Sequence, residues 1–349
     1  MPRASSKRRQ VNRRLVAAAW GGAVLLAWQP APALARPEPF VPAEARQMAS
    51  PRPVAVFLPQ QRIASSIELG RIAFPAGGGG ALGAIIINGN NDIPERLANS
   101  ALERAEGWIA PLVAALDGFD ITPLASSATL AALEQTGWLG TVQLDLLNGE
   151  IPQVQAGGSN GVLVSTTYGI GLFGPAANSN AAVRATGETI TAMERDFAAA
   201  YPDAEERAQV LWRYQMSPDF TQVQVIADIT LVRRNALEPS YKQQVIALVR
   251  LPRPSFIEEE NVARWAANDG ALARTALTTA FARVGQVLPQ VLALDRAGYA
   301  AATDRRRESA TVAGFHGPVL LRDAGGPVIW ARDGDQRFAA FVTAQNASE

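Results

Sequence analysis

Residues 209–251 alternate apolar and polar side chains three times over, and this pattern limits the fold more than any other in the chain. QVLWRYQ runs into Ser217-Pro218-Asp219, a turn composition. Val223, Val225, Ala227, Ile229 and Leu231 then alternate with Gln224, Asp228 and Thr230. After a polar break, Val245, Ala247, Val249 and Leu251 alternate again. A period of two belongs to strands, whose successive side chains leave opposite faces. Short turns join neighbouring strands antiparallel, so the region predicts a three-stranded meander. One face should be buried and the other partly wet.

An apolar sheet face must be covered by another layer, and amphipathic helices are available to cover it. Asp92-Ile93-Pro94-Glu95 has a capping aspartate, a first-turn proline and a following acid, which together mark a helix start. The stripe Leu97, Ala101, Ala105, Trp108, Leu112, Leu116 follows at three- and four-residue spacing, with a kink expected at Pro111. A second helix is expected from Ser127 to Gln135, capped by Ser126 and stopped at Gly137. A third spans Glu188–Ala200 with Ile190, Met193 and Phe197 on one side. A long helical region covers 258–294 along Val262, Trp265, Leu272, Ala276, Ala280, Val284, Leu288 and Val291, with Asp269-Gly270 and Pro289 as its breaks.

Further strands are expected at Val54–Leu58, Ile67–Phe74, Thr141–Leu147 and from Gly161 onward. Hairpin turns are expected at Asp323–Gly326 and Asp333–Asp335. The fold class is therefore α+β: an antiparallel β meander packed against amphipathic helices, with a small β-rich C-terminal segment. The expected division is a main domain over 54–298 and the C-terminal segment over 311–343. A Pro-rich linker at 36–53 precedes them.

The first 35 residues have the pattern of a secretory signal peptide. Arg3, Lys7, Arg8, Arg9, Arg13 and Arg14 form a basic head, Leu15–Trp28 a short apolar stretch, and Ala33-Leu34-Ala35 a cleavage site. The apolar stretch is shorter than the ~20 residues that span a bilayer. Two arginine pairs raise the twin-arginine route, but Asn12 interrupts one and the apolar stretch directly abuts the other, so ordinary unfolded export fits better. The expected location is periplasmic or extracellular, with cleavage after Ala35. The remainder has 26 Lys+Arg against 32 Asp+Glu and no basic stripe, so nucleic acid is not an expected partner. No cysteine is present, which excludes disulfides, thiol catalysis and cysteine-held metals.

The most unusual segment is PAGGGGALGAIIINGNND, residues 75–92. Gly78, Gly80 and Gly83 satisfy the spacing of a dinucleotide loop. However, Pro75 interrupts the approach, and Glu103 and Glu106, the acids at the right distance, fall inside a helix. No Lys-Ser/Thr follows, so a P-loop fails too. Asn88, Asn90 and Asp92 alternate like calcium ligands, but Ile93 and Asn99 occupy the glycine and glutamate positions. No cofactor and no metal is expected. What remains is a bend followed by a short apolar run, or a segment meeting a membrane surface or an envelope protein partner through Gly77, Gly78, Gly79, Gly80, Gly83, Ile85, Ile86 and Ile87.

The lone histidine, His316, has no nucleophile elbow to serve, and a structural role is expected for it. Glu258-Glu259-Glu260 suit a helix N-terminus, and Asp203, Glu205 and Glu206 an exposed helical start. Trp108 and Trp265 sit on helix stripes. Trp138, Trp212 and Trp330 have no assigned place and could line a groove. With familiar catalytic constellations broken, the expectation is a non-catalytic binding or assembly component of the cell envelope. A hydrolase of envelope glycans or peptides, using carboxylates that converge only in the fold, is the alternative, and a membrane-surface protein a third.

Overall fold

Ten strands form one mixed sheet in the computed structural model, which describes residues 37–47, 52–65, 107–136, 143–148, 181–236, 238–332 and 339–348. In chain order the strands are β1 (Pro53–Leu58), β2 (Ala64–Ser65), β3 (Gln143–Asn148), β4 (Glu206–Met216), β5 (Gln222–Arg233) and β6 (Tyr241–Arg250). They continue with β7 (Glu308–Ala310), β8 (His316–Asp323), β9 (Gly326–Arg332) and β10 (Ala339–Asn346). The helices are α1 (Ala43–Gln47), α2 (107–115), α3 (Thr122–Thr136), α4 (Ala181–Ala200), α5 (Glu258–Leu292) and α6 (Arg296–Ala302). The described residues all belong to one compact unit, Arg36–Glu349.

The meander forms as its alternation predicts: β4 pairs antiparallel with β5, and β5 with β6. The expectation of an antiparallel sheet is only partly right. The order is β3-β1-β4-β5-β6-β10-β9-β8-β7, with β1 parallel to both β3 and β4 and β10 parallel to β6. Period-two patterning sets which face a side chain takes, but not strand direction. Direction follows from the connections, and helix-bearing crossovers join β1 to β3 and β3 to β4. The C-terminal strands extend the same sheet, because β10 lies directly against β6.

One face carries the main core. Val54, Val56, Val210, Trp212, Val225, Ala227, Val245 and Phe341 pack with Ile109 and Leu112 of α2, Ala125 and Leu133 of α3, and the stripe of α5. α5 breaks at Ala267–Gly270, as expected, with Asn268, Asp269 and Gly270 at positive φ, but it continues through Pro289, the other expected break. Gly285 of α5 passes so close to α3 that an added Cβ would meet the Ala128 Cβ at 2.9 Å. α3 starts earlier than expected. The Asp120 carboxylate accepts from the Thr122 backbone N–H at 2.8 Å, so the free N–H at the helix start is met from Asp120, not from Ser126, which lies inside the helix.

The second face is covered as well. Phe197 and Met193 of α4 lie on Ala55 and Phe57, and Ala313 and Phe315 lie on Ile226, Ile246 and Leu248. The polar side of the meander was expected to be partly wet, yet Gln209, Arg213, Gln215, Gln224, Asp228 and Gln244 are all buried. They bond to one another, although the Arg213 Nε–H finds no acceptor. Arg213 and Gln244 both donate to Asp228, Gln215 donates to Gln224 at 2.7 Å, and Thr230 donates to Gln209 at 3.1 Å.

The described part of the Pro-rich segment is built into the fold. Glu38 forms a parallel bridge with Tyr241, filling the side of β6 ahead of β10. Arg46 donates to the Leu294 carbonyl at 2.6 Å and the Leu292 carbonyl at 3.1 Å. Glu206, expected on an exposed helical start, lies in β4 with Arg52 at 2.6 Å, both side chains at 0 % exposure.

Candidate functional site

Because β1 runs parallel to both β3 and β4, their carboxyl ends lie together. α2 and α3 cover one face of this trio and α4 the other, so the connections leave β1 towards opposite sides. In open sheets with such a reversal, ligands bind in the crevice beyond the carboxyl ends. A cavity of about 400 Å3 lies there, within the size range of small-molecule sites.

Leu58, the last residue of β1, leads into Gln60, Gln61, Arg62 and Ile63 along one wall. Gln60 fixes this wall to β4: its side chain accepts from the Tyr214 N–H at 3.1 Å and donates to the Tyr214 carbonyl at 3.0 Å. β2 then continues along β4, pairing Ala64 with Gln215. Arg62 donates to the Ile63 carbonyl at 3.3 Å.

The turn between α2 and α3, Leu116–Thr122, forms the other wall with Val113. Gly118 adopts φ +67°, which lets the chain reverse. Arg274 of α5 holds the turn from behind, donating to the Ala115 carbonyl at 2.8 Å and the Asp117 carbonyl at 3.2 Å, with its guanidinium 5.4 Å from the Phe119 ring centre. Asp117 and Asp120 stand exposed at the mouth, and Asn148 at the end of β3 completes it. Hydrogen bonds from the Thr122 side chain and backbone hold the Asp120 carboxyl below its ordinary range.

Tyr214 lies on the floor with 3 % of its surface exposed. Its backbone bonds to Gln60, and its ring lies 6.3 Å from Phe281. Its hydroxyl bonds to no described residue. Burial, the larger effect, pushes this phenol up, while the Arg62 charge opposes the rise and Asp120 adds to it. The phenol therefore stays protonated at neutral pH, able to donate or accept.

None of the site candidates singled out in the sequence is among the described lining of the cavity. Gly77, Gly78, Gly79, Gly80, Gly83, Ile85, Ile86 and Ile87 fall outside the described residues, as do Asn88, Asn90, Asp92, Trp138 and Asp333–Asp335. His316 is exposed at the start of β8. Trp212, Trp265 and Trp330 are core residues and line no groove: Trp212 donates to Thr129 Oγ1 at 2.9 Å, and Trp265 to the Phe220 carbonyl at 2.8 Å. Sequence reasoning missed Arg62, Asp117, Asp120 and Tyr214. Asp120-Ile121-Thr122-Pro123 carried a usable signal, a cap followed by a first-turn proline, which would have placed a loop and a helix start there.

Comparison with protein-family models, curated proteins and solved structures finds no match to this chain. Among the described residues, no group of three or more His, Cys, Asp or Glu could hold a metal ion, and no helix is long and apolar enough to cross a membrane.

Proposed function

We propose that this chain is an exported, non-catalytic component of the cell envelope that binds a small polar ligand in the cavity beyond β1, β3 and β4. The basic head and short apolar stretch of residues 1–35 support export. The observation that carries the binding reading is the cavity itself, about 400 Å3 beyond the carboxyl ends of β1, β3 and β4, where the connections leave β1 towards opposite sides. The hydrolase alternative would draw on Asp117 and Asp120. Both come from one turn, and Asp120 is held below its ordinary range, opposite to the raised carboxyl a general acid needs.

Differential scanning fluorimetry with amino acids, short peptides, monosaccharides, polyols and small organic acids tests this reading, followed by calorimetry on whatever stabilises the protein. At least one compound should bind, and Val113→Trp, which fills the cavity, should abolish binding in a folded variant. If no compound binds, or binding survives Val113→Trp, the cavity is not a ligand site.

A further inference from the structure

Phe256 stands wholly in solvent, at 102 % exposure, and Ile257 beside it is 51 % exposed. Single exposed apolar residues are ordinary. This pair occupies positions where local structure favours something else. Ile257 is the N-cap of α5, a position that favours Ser, Thr, Asp or Asn, and its side chain makes no capping bond. Phe256, one residue earlier, would ordinarily pack as a staple on the fourth residue of the helix. That residue is Asn261, which is buried and bonded to polar partners. The chain thus gives up a cap and a staple to hold two apolar side chains in water. Local rules broken without a local gain mark functional positions.

The loop that presents the pair is held in place. Asn261 accepts from the Ser255 N–H at 2.8 Å and donates to the Ser255 and Asp219 carbonyls, each at 3.0 Å. The Ser255 hydroxyl donates to Glu260 at 2.5 Å and accepts from the Ile257 N–H at 3.1 Å. A loop already ordered loses little conformational freedom on docking. Glu258, Glu259 and Glu260 follow the pair directly. Among the described residues Glu258 and Glu259 enter no ion pair, whereas the nearby Arg253 and Arg264 have contacts of their own. An apolar anchor with a charged margin is the anatomy of a protein interface.

Independently of the cavity, we propose that Phe256 and Ile257 anchor a second, different protein through an apolar pocket rimmed by arginine or lysine. A lipid surface fits less well, because membrane-surface segments carry basic rather than acidic residues beside their apolar face. A second copy of this chain also fits less well. Its cavity has Asp117 and Asp120 exposed at the mouth, and these would repel Glu258 and Glu259.

The test begins with the photoreactive analogue p-benzoylphenylalanine, placed in the full chain in its own cells at Phe256 and, as a control, at Leu130, which is exposed on α3. Irradiation should give one discrete protein adduct from position 256 and none from 130. The captured protein, once purified, is titrated against the purified chain by calorimetry. Phe256→Ala should weaken binding by about tenfold or more. Glu258→Gln together with Glu259→Gln should flatten the decline of binding with added salt. Ile257→Ser supplies the absent cap, so Tm should hold or rise while binding weakens, a split that damage to the fold would not produce. No adduct specific to position 256, or a captured protein whose binding ignores Phe256→Ala or added salt, overturns the proposal. Two other results overturn it in favour of a different occupant. Binding to phosphatidylglycerol vesicles that is lost in Phe256→Ala would assign the pair to lipid, and concentration-dependent self-association lost in the same variant would assign it to a second copy.

Discussion

Glu206→Leu should be among the most destabilising single changes in this protein, and the same change made together with Arg52→Met should be nearly harmless. Glu206 Oε2 accepts from Arg52 Nε at 2.6 Å, with both side chains at 0 % exposure. Arg52 also donates to the Ala45 carbonyl, so the pair ties the start of β1 to α1. Removing one partner strands a charge in the interior, which typically costs about 3–5 kcal/mol. For the compact unit Arg36–Glu349, roughly 310 residues, unfolding entropy near the melting point is about 0.65 kcal/mol per degree, so Tm should fall by ~5–8 °C. The pair is itself imperfect. Glu206 Oε1 makes no hydrogen bond and lies 3.8 Å from Arg233, its half-exposed cross-strand partner on β5. Desolvation is thus incompletely offset, and the apolar double variant should lie within about 1 kcal/mol of the parent or above it. Calorimetric melting of the four proteins in the cycle measures this. Single variants costing under about 1 kcal/mol, or a double variant as poor as the two singles summed, would refute the reasoning.

Other outcomes follow from particular contacts. Thr129→Val removes the acceptor of the buried Trp212 indole N–H and should cost about 1–3 kcal/mol in denaturant unfolding. Tyr241→Phe should be neutral or stabilising by up to about 1 kcal/mol, because the Tyr241 hydroxyl is buried without a partner. Gly285→Leu drives a side chain into Ala128 across the α3–α5 contact and should cost about 1–3 kcal/mol, whereas Ala128→Gly should relieve part of it. Asp323 accepts from Arg283 at 2.7 Å, and this bond chiefly holds its carboxyl below the ordinary value. A carboxyl lowered by folding stabilises above its unfolded pKa and loses that contribution as pH falls through its folded pKa. Asp323→Asn should therefore cost under about 1 kcal/mol at neutral pH, since the carboxyl is 44 % exposed, and the difference should begin to shrink as pH falls below about 4 and vanish only below the lowered folded pKa.

Much of the secondary structure was legible in the sequence, because periodicity and caps are local. The alternation at 209–251 located β4, β5 and β6, and the stripe from Val262 to Val291 located α5 with its break at Asp269-Gly270. The start of α3 was misread because Ser126 competed with Asp120, and the bonding of Asp120 to Thr122 decided between them. The candidate site was almost invisible. Arg62, Asp117 with Asp120, and Tyr214 lie on three separate stretches of chain with no shared motif, and they meet only because β1 lies between β3 and β4.

By itself the sequence determined an α+β chain without cysteine chemistry, in which strands and amphipathic helices must bury one another. The tertiary structure alone decided which strands run parallel and which polar residues are interior. A period of two assigns a residue to a face, but whether that face meets water depends on what packs over it. Hence Gln224, Asp228 and Gln244, polar residues on the alternating pattern, are buried partners rather than a solvated surface. Hence also Glu206, acidic and next to Glu205, faces Arg52 rather than water. Pairings made across some 154 residues of chain carry no local signature, because they depend on contacts that exist only once the sheet has closed.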